Sequence, residues 1–332
     1  MENLTKSPTE SSPRLFAALV AGFNTVASNI WLILLPVLFD LFLWLGPHFR
    51  IKLLAQPLIS DMTEVAKQIS NEQTRQVFEQ APQLWQELVT RFNIASLMRT
   101  FPIGMPSFMY GQSPITTPFG DPLFVETGSF GELIFFWLAF SVLGILFGSL
   151  YYNNLSRLTC QPKQEFSIQT WGYQVVQSII MVVTFAVLLF ILTIPLSFIS
   201  SLLMLVSPIV LQIFLLLLTF FALWALIPIF FSAHGIFIYQ QNFFRSFLNS
   251  FKLVRYFFSG ASMFLMIAII LSIGLDVIWR LAPPESWFSL LGIAGHAFIS
   301  TGLFTASFIY YRAGIVWLRQ LQLRQSISTL KA

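Results

Sequence analysis

The chain has 332 residues, of which 56% are hydrophobic and 10% charged, with a formal net charge of +4. A soluble domain carries about 25% charged residues, so the composition excludes an ordinary soluble globule and indicates a polytopic membrane protein. The basic residues sit in short segments between apolar runs, which points to membrane orientation and anionic lipid and away from nucleic acid.

Residues 1–14 are rich in Ser, Thr, Glu and Pro and read as a disordered tail. The apolar run that follows is about twice as long as a signal-peptide core. Gly46-Pro47-His48 behind it offers no small-residue cleavage site, so no segment is expected to be removed. A membrane span needs roughly 20 apolar residues. Six segments qualify, at about 27–46, 131–152, 172–196, 209–231, 261–282 and 288–311. The first is expected to follow an amphipathic helix, making 15–49 one unit with 130–153 as its return span.

Between these two lies an insertion, 50–129. From Ser60 to Met98 it reads as helix, with Val77, Phe78, Ala81, Leu84, Trp85, Leu88, Val89 and Phe92 as an apolar stripe. Pro82 starts a new helix or kinks this one. Phe101 to Gly128 carries five prolines and four glycines, at Pro102, Pro106, Pro114, Pro118, Pro122, Gly104, Gly111, Gly120 and Gly128, and reads as an irregular loop. Phe101, Ile103, Met105, Phe108, Met109 and Tyr110 make this loop too apolar for a free linker. It is expected to pack on the membrane face or cap the bundle, the other reading being a ligand lid or a protein-docking site within 60–128.

Cys160 is the only cysteine, which excludes an intrachain disulfide and any cysteine-cluster metal site. Between Glu165 and Arg245 there is no Lys, Arg, Asp or Glu. The third and fourth spans fill this stretch, joined by an apolar hairpin around Pro195 to Pro208. Short cytoplasmic loops carry the Lys and Arg: Arg157 and Lys163; then Arg245, Lys252 and Arg255; then Arg312, Arg319, Arg324 and Lys331. The opposite connections carry none, or Arg280 balanced by Glu285. Both termini are therefore expected on the cytoplasmic side of a plasma-type membrane, with the insertion outside. Tyr151, Tyr152, Tyr239, Tyr310 and Tyr311 fall at the cytoplasmic ends, where tyrosine prefers the interface. Arg245, Lys252, Arg255, Arg319 and Arg324 are the candidate contacts to anionic lipid.

A spacing recurs three times. Phe16 is followed by Gly22, Phe23 and Val26; Phe166 by Gly172, Tyr173 and Val176; Phe244 by Ser250, Phe251 and Val254. The position directly after the second aromatic is polar in each copy: Asn24, Gln174 and Lys252. The even spans end alike, in Tyr151-Tyr152, Tyr239-Gln240 and Tyr310-Tyr311. The fold expected is all-α: six transmembrane helices as three parallel hairpin repeats (15–153 with its insertion, 164–241 and 242–312), each preceded by a cytoplasmic amphipathic helix, and a basic tail at 313–332. In the third copy Phe244, Phe247, Leu248, Phe251 and Val254 form an apolar face opposite Asn242, Arg245, Asn249 and Lys252.

That copy, Arg245-Ser-Phe-Leu-Asn-Ser250-Phe-Lys-Leu253-Val-Arg255, resembles the six-helix membrane domains fused to some bacterial glycerophosphodiester phosphodiesterases, and their stand-alone relatives. The family pattern is Ala-Leu-x-x-Ser-x-x-Leu with a nearby basic residue. Ser246, Phe247, Ser250, Leu253 and Arg255 occupy those places, with Ser246 and Phe247 departing from its start. The resemblance covers spans 3 to 6 and implies a six-helix architecture. It implies no phosphodiesterase activity, because the soluble catalytic domain is absent.

Ionisable groups inside a span are functional candidates. Asp40, Asp276, Arg280 and His296 lie toward the outer ends of spans 1, 5 and 6, and together would make a polar pocket, a proton relay or an anion site. The plainer alternative pairs Asp276 with Arg280 along one helix face, with Asp40 at the interface and His296 bonded to a carbonyl. His234 is expected as an interfacial histidine at a helix end. Gly144-x-x-x-Gly148 and Gly302-x-x-x-Ala306 allow close approach. No phosphate loop, zinc-protease, nucleophile-elbow or dinucleotide signature is present, and no cofactor or metal is expected. The leading functional reading is a non-enzymatic scaffold or accessory protein, or a lipid-handling one. The alternatives are a small secondary transporter with its polar site among spans 1, 5 and 6, and an intramembrane lipid-modifying enzyme.

Overall fold

The computed structural model describes residues 12–69, 72–111, 114, 116–160 and 164–331. Lys163 and most of the N-terminal tail lie outside the described residues, as do the side chains of Val77, Phe78, Ala81 and Lys331. The protein is an all-α multi-pass membrane protein. Among the described residues five helices are long and apolar enough to cross a bilayer, or six if one bent pair counts as a span.

That bent pair is α1 (Leu15–Ser28) and α2 (Leu34–Leu45), which diverge by 95° through a 3-10 turn at Ile30–Ile33. The straight span expected over 27–46 is thus broken at Asn29. Its Nδ2 donates back to the Thr25 carbonyl at 2.8 Å, and its backbone leaves the helix at φ −138° and ψ 60°. Asparagine competes in this way with helix continuation. The helix is charge-free and packs along the last helix of the chain, α10 (Ser289–Lys331), instead of lying free. Gly22 makes this approach close: a Cβ there would stand 2.6 Å from the Gly302 carbonyl oxygen and the Ala306 nitrogen.

Strand β1 (His48–Arg50) follows α2 and pairs in parallel with β2 (Phe124–Glu126), His48 opposite Phe124. This two-stranded sheet, absent from the expected all-helix-and-loop insertion, brackets α3 (Lys52–Ile69), α4 (Glu72–Arg91) and a 3-10 turn at Ile94–Met98. The helices pair with each other and leave Leu58, Met62, Val65, Leu84, Trp85 and Leu88 exposed.

Past β2, Ser129 caps α5 (Phe130–Thr159) by accepting from the Glu132 amide. Next come α6 (Ile168–Val206) and α7 (Pro208–Tyr239). The turn between them is the single residue Ser207, extended at φ −168°, with Pro208 opening α7 where a missing N–H costs nothing. The hairpin expected around Pro195 to Pro208 therefore lies at the end of that range, because α6 runs through Pro195. At 1.5 Å per residue α6 is about 58 Å long, against a hydrocarbon core of about 30 Å. It must tilt or project beyond the bilayer. Between about 182 and 227 apolar side chains cover these two helices and stay largely exposed, as lipid-facing surface does.

A three-residue link with Gln240 in the left-handed region leads to α8 (Phe243–Tyr256), then α9 (Phe258–Trp279) and the central α10. Helices α1 and α8 are both 14 residues long. Each ends on a residue of similar non-helical geometry, Asn29 and Phe257 at φ −135° and ψ 45°. The middle copy of the spacing differs: Gly172 and Val176 belong to α6, with no separate helix before it.

Aromatic packing holds the bundle where α5, α7, α8 and α10 meet, with Tyr151, Tyr152, Phe231, Phe237, Phe308, Tyr310 and Tyr311 buried. Polar bonds lock the same region, as they do between membrane helices. Asn153 donates to Gln174 at 2.7 Å, Tyr151 to Thr301 at 3.0 Å, and the Phe243 amide to Gln177 at 2.8 Å. His234, expected at the interface, is wholly buried there and lies 2.7 Å from the Ser307 hydroxyl.

Candidate functional site

The segment from Ile94 to Met109 enters the bundle instead of capping it. Ile94, Ala95, Ile103, Met105, Phe108 and Met109 are all buried. Its floor is α5: a Cβ on Gly144 would collide with the Met98 backbone, and one on Gly148 would stand 3.0 Å from the Ile103 carbonyl oxygen. The Gly144-x-x-x-Gly148 pattern thus seats an irregular loop, not a second helix. Both glycines lie near the middle of α5, so the loop reaches well into the apolar zone. Non-helical backbone is tolerated at such depth only where protein encloses it and meets its polar groups. Tyr152 donates to the Pro102 carbonyl at 3.0 Å, and the Thr100 hydroxyl to that of Ile103.

Asp40 closes the loop. Its Oδ1 accepts from the Ser107 hydroxyl at 2.5 Å and the Met109 amide at 3.0 Å, while Oδ2 accepts from the Phe108 amide at 3.0 Å. The residue is fully buried. A carboxylate suits this place because it only accepts, and three donors meet it. The alternative of an interfacial Asp40 is replaced by this clamp.

Asp276 and His296 pair across α9 and α10, Oδ1 to Nδ1 at 2.6 Å. The alternative ion pair of Asp276 with Arg280 is not formed. Arg280 instead holds its guanidinium 5.3 Å from the centroid of the Phe108 ring, which also lies 5.7 Å from the His296 ring. The four candidates therefore gather around Phe108 of the loop. Nε2 of His296 is enclosed and has no hydrogen-bond partner among the described residues. Sequence reasoning missed Ser107 and Phe108, whose only signal was a hydroxyl set in an apolar run. Among the described residues no three His, Cys, Asp or Glu side chains are placed to hold a metal ion.

Beside the clamp runs a groove of about 440 Å³. Leu35, Leu38, Phe39 and Phe42 of α2 form one wall, Phe140, Leu143 and Phe147 of α5 the other, and Met98 and Met105 of the loop lie between them. No polar side chain lines it. Its size falls in the range of small-molecule sites, and methionines adapt to variable apolar shapes.

At the other end of the bundle, Arg245, Lys252 and Arg255 are exposed on α8, and Arg319 and Arg324 on α10. The buried face of α8 is Phe243, Ser246, Ser250, Leu253 and Val254. Of the apolar face expected from spacing, Phe244 and Leu248 are exposed and Val254 is buried. The two serines fit because Gly235 of α7 and Tyr311 of α10 come close to them.

Comparison of the chain with family models, curated proteins and solved structures finds no match.

Proposed function

We propose that this is a non-enzymatic, lipid-handling membrane protein whose groove between α2, α5 and the inserted loop takes a lipid acyl chain. The observation that carries this reading is the groove itself: about 440 Å³, lined by apolar side chains alone, on a protein whose solvent is lipid. Asp40 supports it from the other side, since a carboxylate already accepting three bonds has little capacity left for a transported ion or a reaction.

The orientation we propose keeps both termini cytoplasmic, with Arg157, Arg245, Arg312 and Arg319 on the inner side and 50–129 outside. The three-repeat reading is supported between its first and third copies by the equal lengths and matching ends of α1 and α8. The likeness to the six-helix membrane domains adds only an architecture. The exposed apolar face of α3 and α4 is the surface we assign to a protein partner or to the outer leaflet.

A second reading, a small transporter, is favoured by one observation: the Asp276–His296 pair leaves an enclosed ring nitrogen without a partner. Purification in mild detergent followed by mass spectrometry of bound lipid tests the leading reading. Leu143→Trp and Leu38→Trp, which fill the groove, are expected to lose most of the lipid that the wild type retains. An unchanged lipid complement in both would sink it. Asp276→Asn with unchanged growth and protein level removes the transporter.

A further inference from the structure

The cationic end of the bundle holds a cluster that the groove reading does not use. Arg312 of α10 donates to the Thr159 carbonyl at the end of α5, which fixes its guanidinium between the two helices. Arg319 is two turns further along the same face of α10. Its guanidinium carbon stands 5.3 Å from the centroid of the Tyr239 ring, the last residue of α7. The Tyr239 hydroxyl is enclosed and has no hydrogen-bond partner among the described residues. It lies within electrostatic range of both guanidinium groups.

Among the described residues neither arginine pairs with a carboxylate. The chain has no Asp or Glu between Glu165 and Asp276, and none after Glu285. Two held guanidinium groups and an unsatisfied hydroxyl thus converge where apolar helix surface gives way to the cationic end. Each guanidinium has five N–H donors in a planar fork, and Arg312 spends only part of its set on Thr159. Such forks match phosphate oxygens. Basic pockets between membrane helices are where lipid headgroups are held.

We propose that Arg312, Arg319 and Tyr239 form a phosphate-binding site, taking the phosphate group of an anionic phospholipid or free phosphate. The two arginines hold separate oxygens, and the Tyr239 ring, stacked against Arg319, positions its guanidinium. The site is independent of the groove, which lies beyond the middle of α5, so failure of either leaves the other standing.

The test uses the full chain in nanodiscs of phosphatidylcholine, with or without phosphatidylglycerol, followed by extraction and native mass spectrometry. Arg319→Gln is the informative variant, because it does not remove the Arg312–Thr159 bond between helices. The comparator Arg14→Gln lowers the charge of the same end at an exposed residue without touching the site. Wild type and comparator are expected to retain phosphatidylglycerol, and Arg319→Gln to bind it about tenfold more weakly. Thermal stabilisation of the phosphatidylcholine sample by inorganic phosphate, in wild type but not in Arg319→Gln, would assign the site to free phosphate. Equal retention by wild type and Arg319→Gln, with no phosphate effect, overturns the proposal. So does an equal loss in the comparator, which would mean that charge alone acts.

Discussion

Asp40 organises the outer half of the bundle through two oxygen atoms. One holds the Ser107 hydroxyl and the Met109 amide, the other the Phe108 amide. An asparagine can keep the oxygen facing the first pair, but then turns its NH₂ toward the Phe108 amide, donor against donor. Alanine leaves all three donors unmet in a buried place. Since a buried hydrogen bond to a charged group is worth about 1.5–3 kcal/mol, Asp40→Asn is expected to cost about 2 kcal/mol and Asp40→Ala more. Thermal unfolding in mild detergent checks the order, and limited proteolysis between Arg99 and Tyr110 checks that the loop is what comes free. Wild-type stability in Asp40→Ala would remove the clamp. The presence of Asp40 in an apolar run was legible from the sequence. Its role was not, because its partners follow 67 to 69 residues later in an irregular segment with no periodicity to place it. The same holds for Asp276: the i,i+4 rule offered Arg280, while the structure supplies His296 from the next helix.

At the scale of elements, small residues decide which neighbours touch. Gly22 and Gly172 hold the same place in the recurring spacing, yet their surroundings differ. A Cβ on Gly22 meets backbone atoms of α10, whereas one on Gly172 meets nothing within 4 Å. Gly22→Val is therefore expected to push α1 off α10 and to cost about 1–3 kcal/mol, the usual scale for overpacking, or more because backbone cannot yield. Gly172→Val is expected to fall within about 0.5 kcal/mol of wild type, as exposed changes do. Melting curves of the two variants in one detergent suffice, and equal losses would mean that the spacing reflects helix propensity alone. Hydropathy found the spans because burial in lipid demands only apolar length. It overlooked the break at Asn29, which depends on a side chain bonding back to Thr25, and placed the turn at Ser207 only within Pro195 to Pro208, because one extended residue interrupts an otherwise uniform apolar run. The spacing on α8 gave an apolar face with Phe244 and Leu248, which the structure leaves exposed, but gave no sign of the buried serines: Ser246 sits against Gly235 and Ser250 bonds to Tyr311.

For the whole molecule, the division between scaffold and insertion follows from how the chain closes on itself. Strand β1 ends at Arg50 and β2 begins at Phe124, hydrogen-bonded to each other, so everything between them starts and finishes at one place. Within that stretch a second closure occurs. The Phe49 amide donates to Asn93 Oδ1 at 3.1 Å, which brings the two stems of the α3–α4 hairpin together. The inserted loop lies on the far side of this closure, in the bundle, with Asp40 and α5. The hairpin is therefore separable from the groove, although the hairpin and the loop that lines the groove belong to one insertion by sequence. Replacing 52–91 with a short Gly/Ser linker shortens a closed loop, a change whose entropy varies only slowly with length. The shortened protein is expected to fold, to melt close to wild type, and to keep its groove-bound lipid while losing whatever binds the exposed face of Leu58, Met62, Leu84, Trp85 and Leu88. Melting and lipid identification on the same preparation separate the two roles. Loss of bound lipid together with the hairpin would make α3 and α4 part of the lipid site, and the groove would then need them as a wall or a lid.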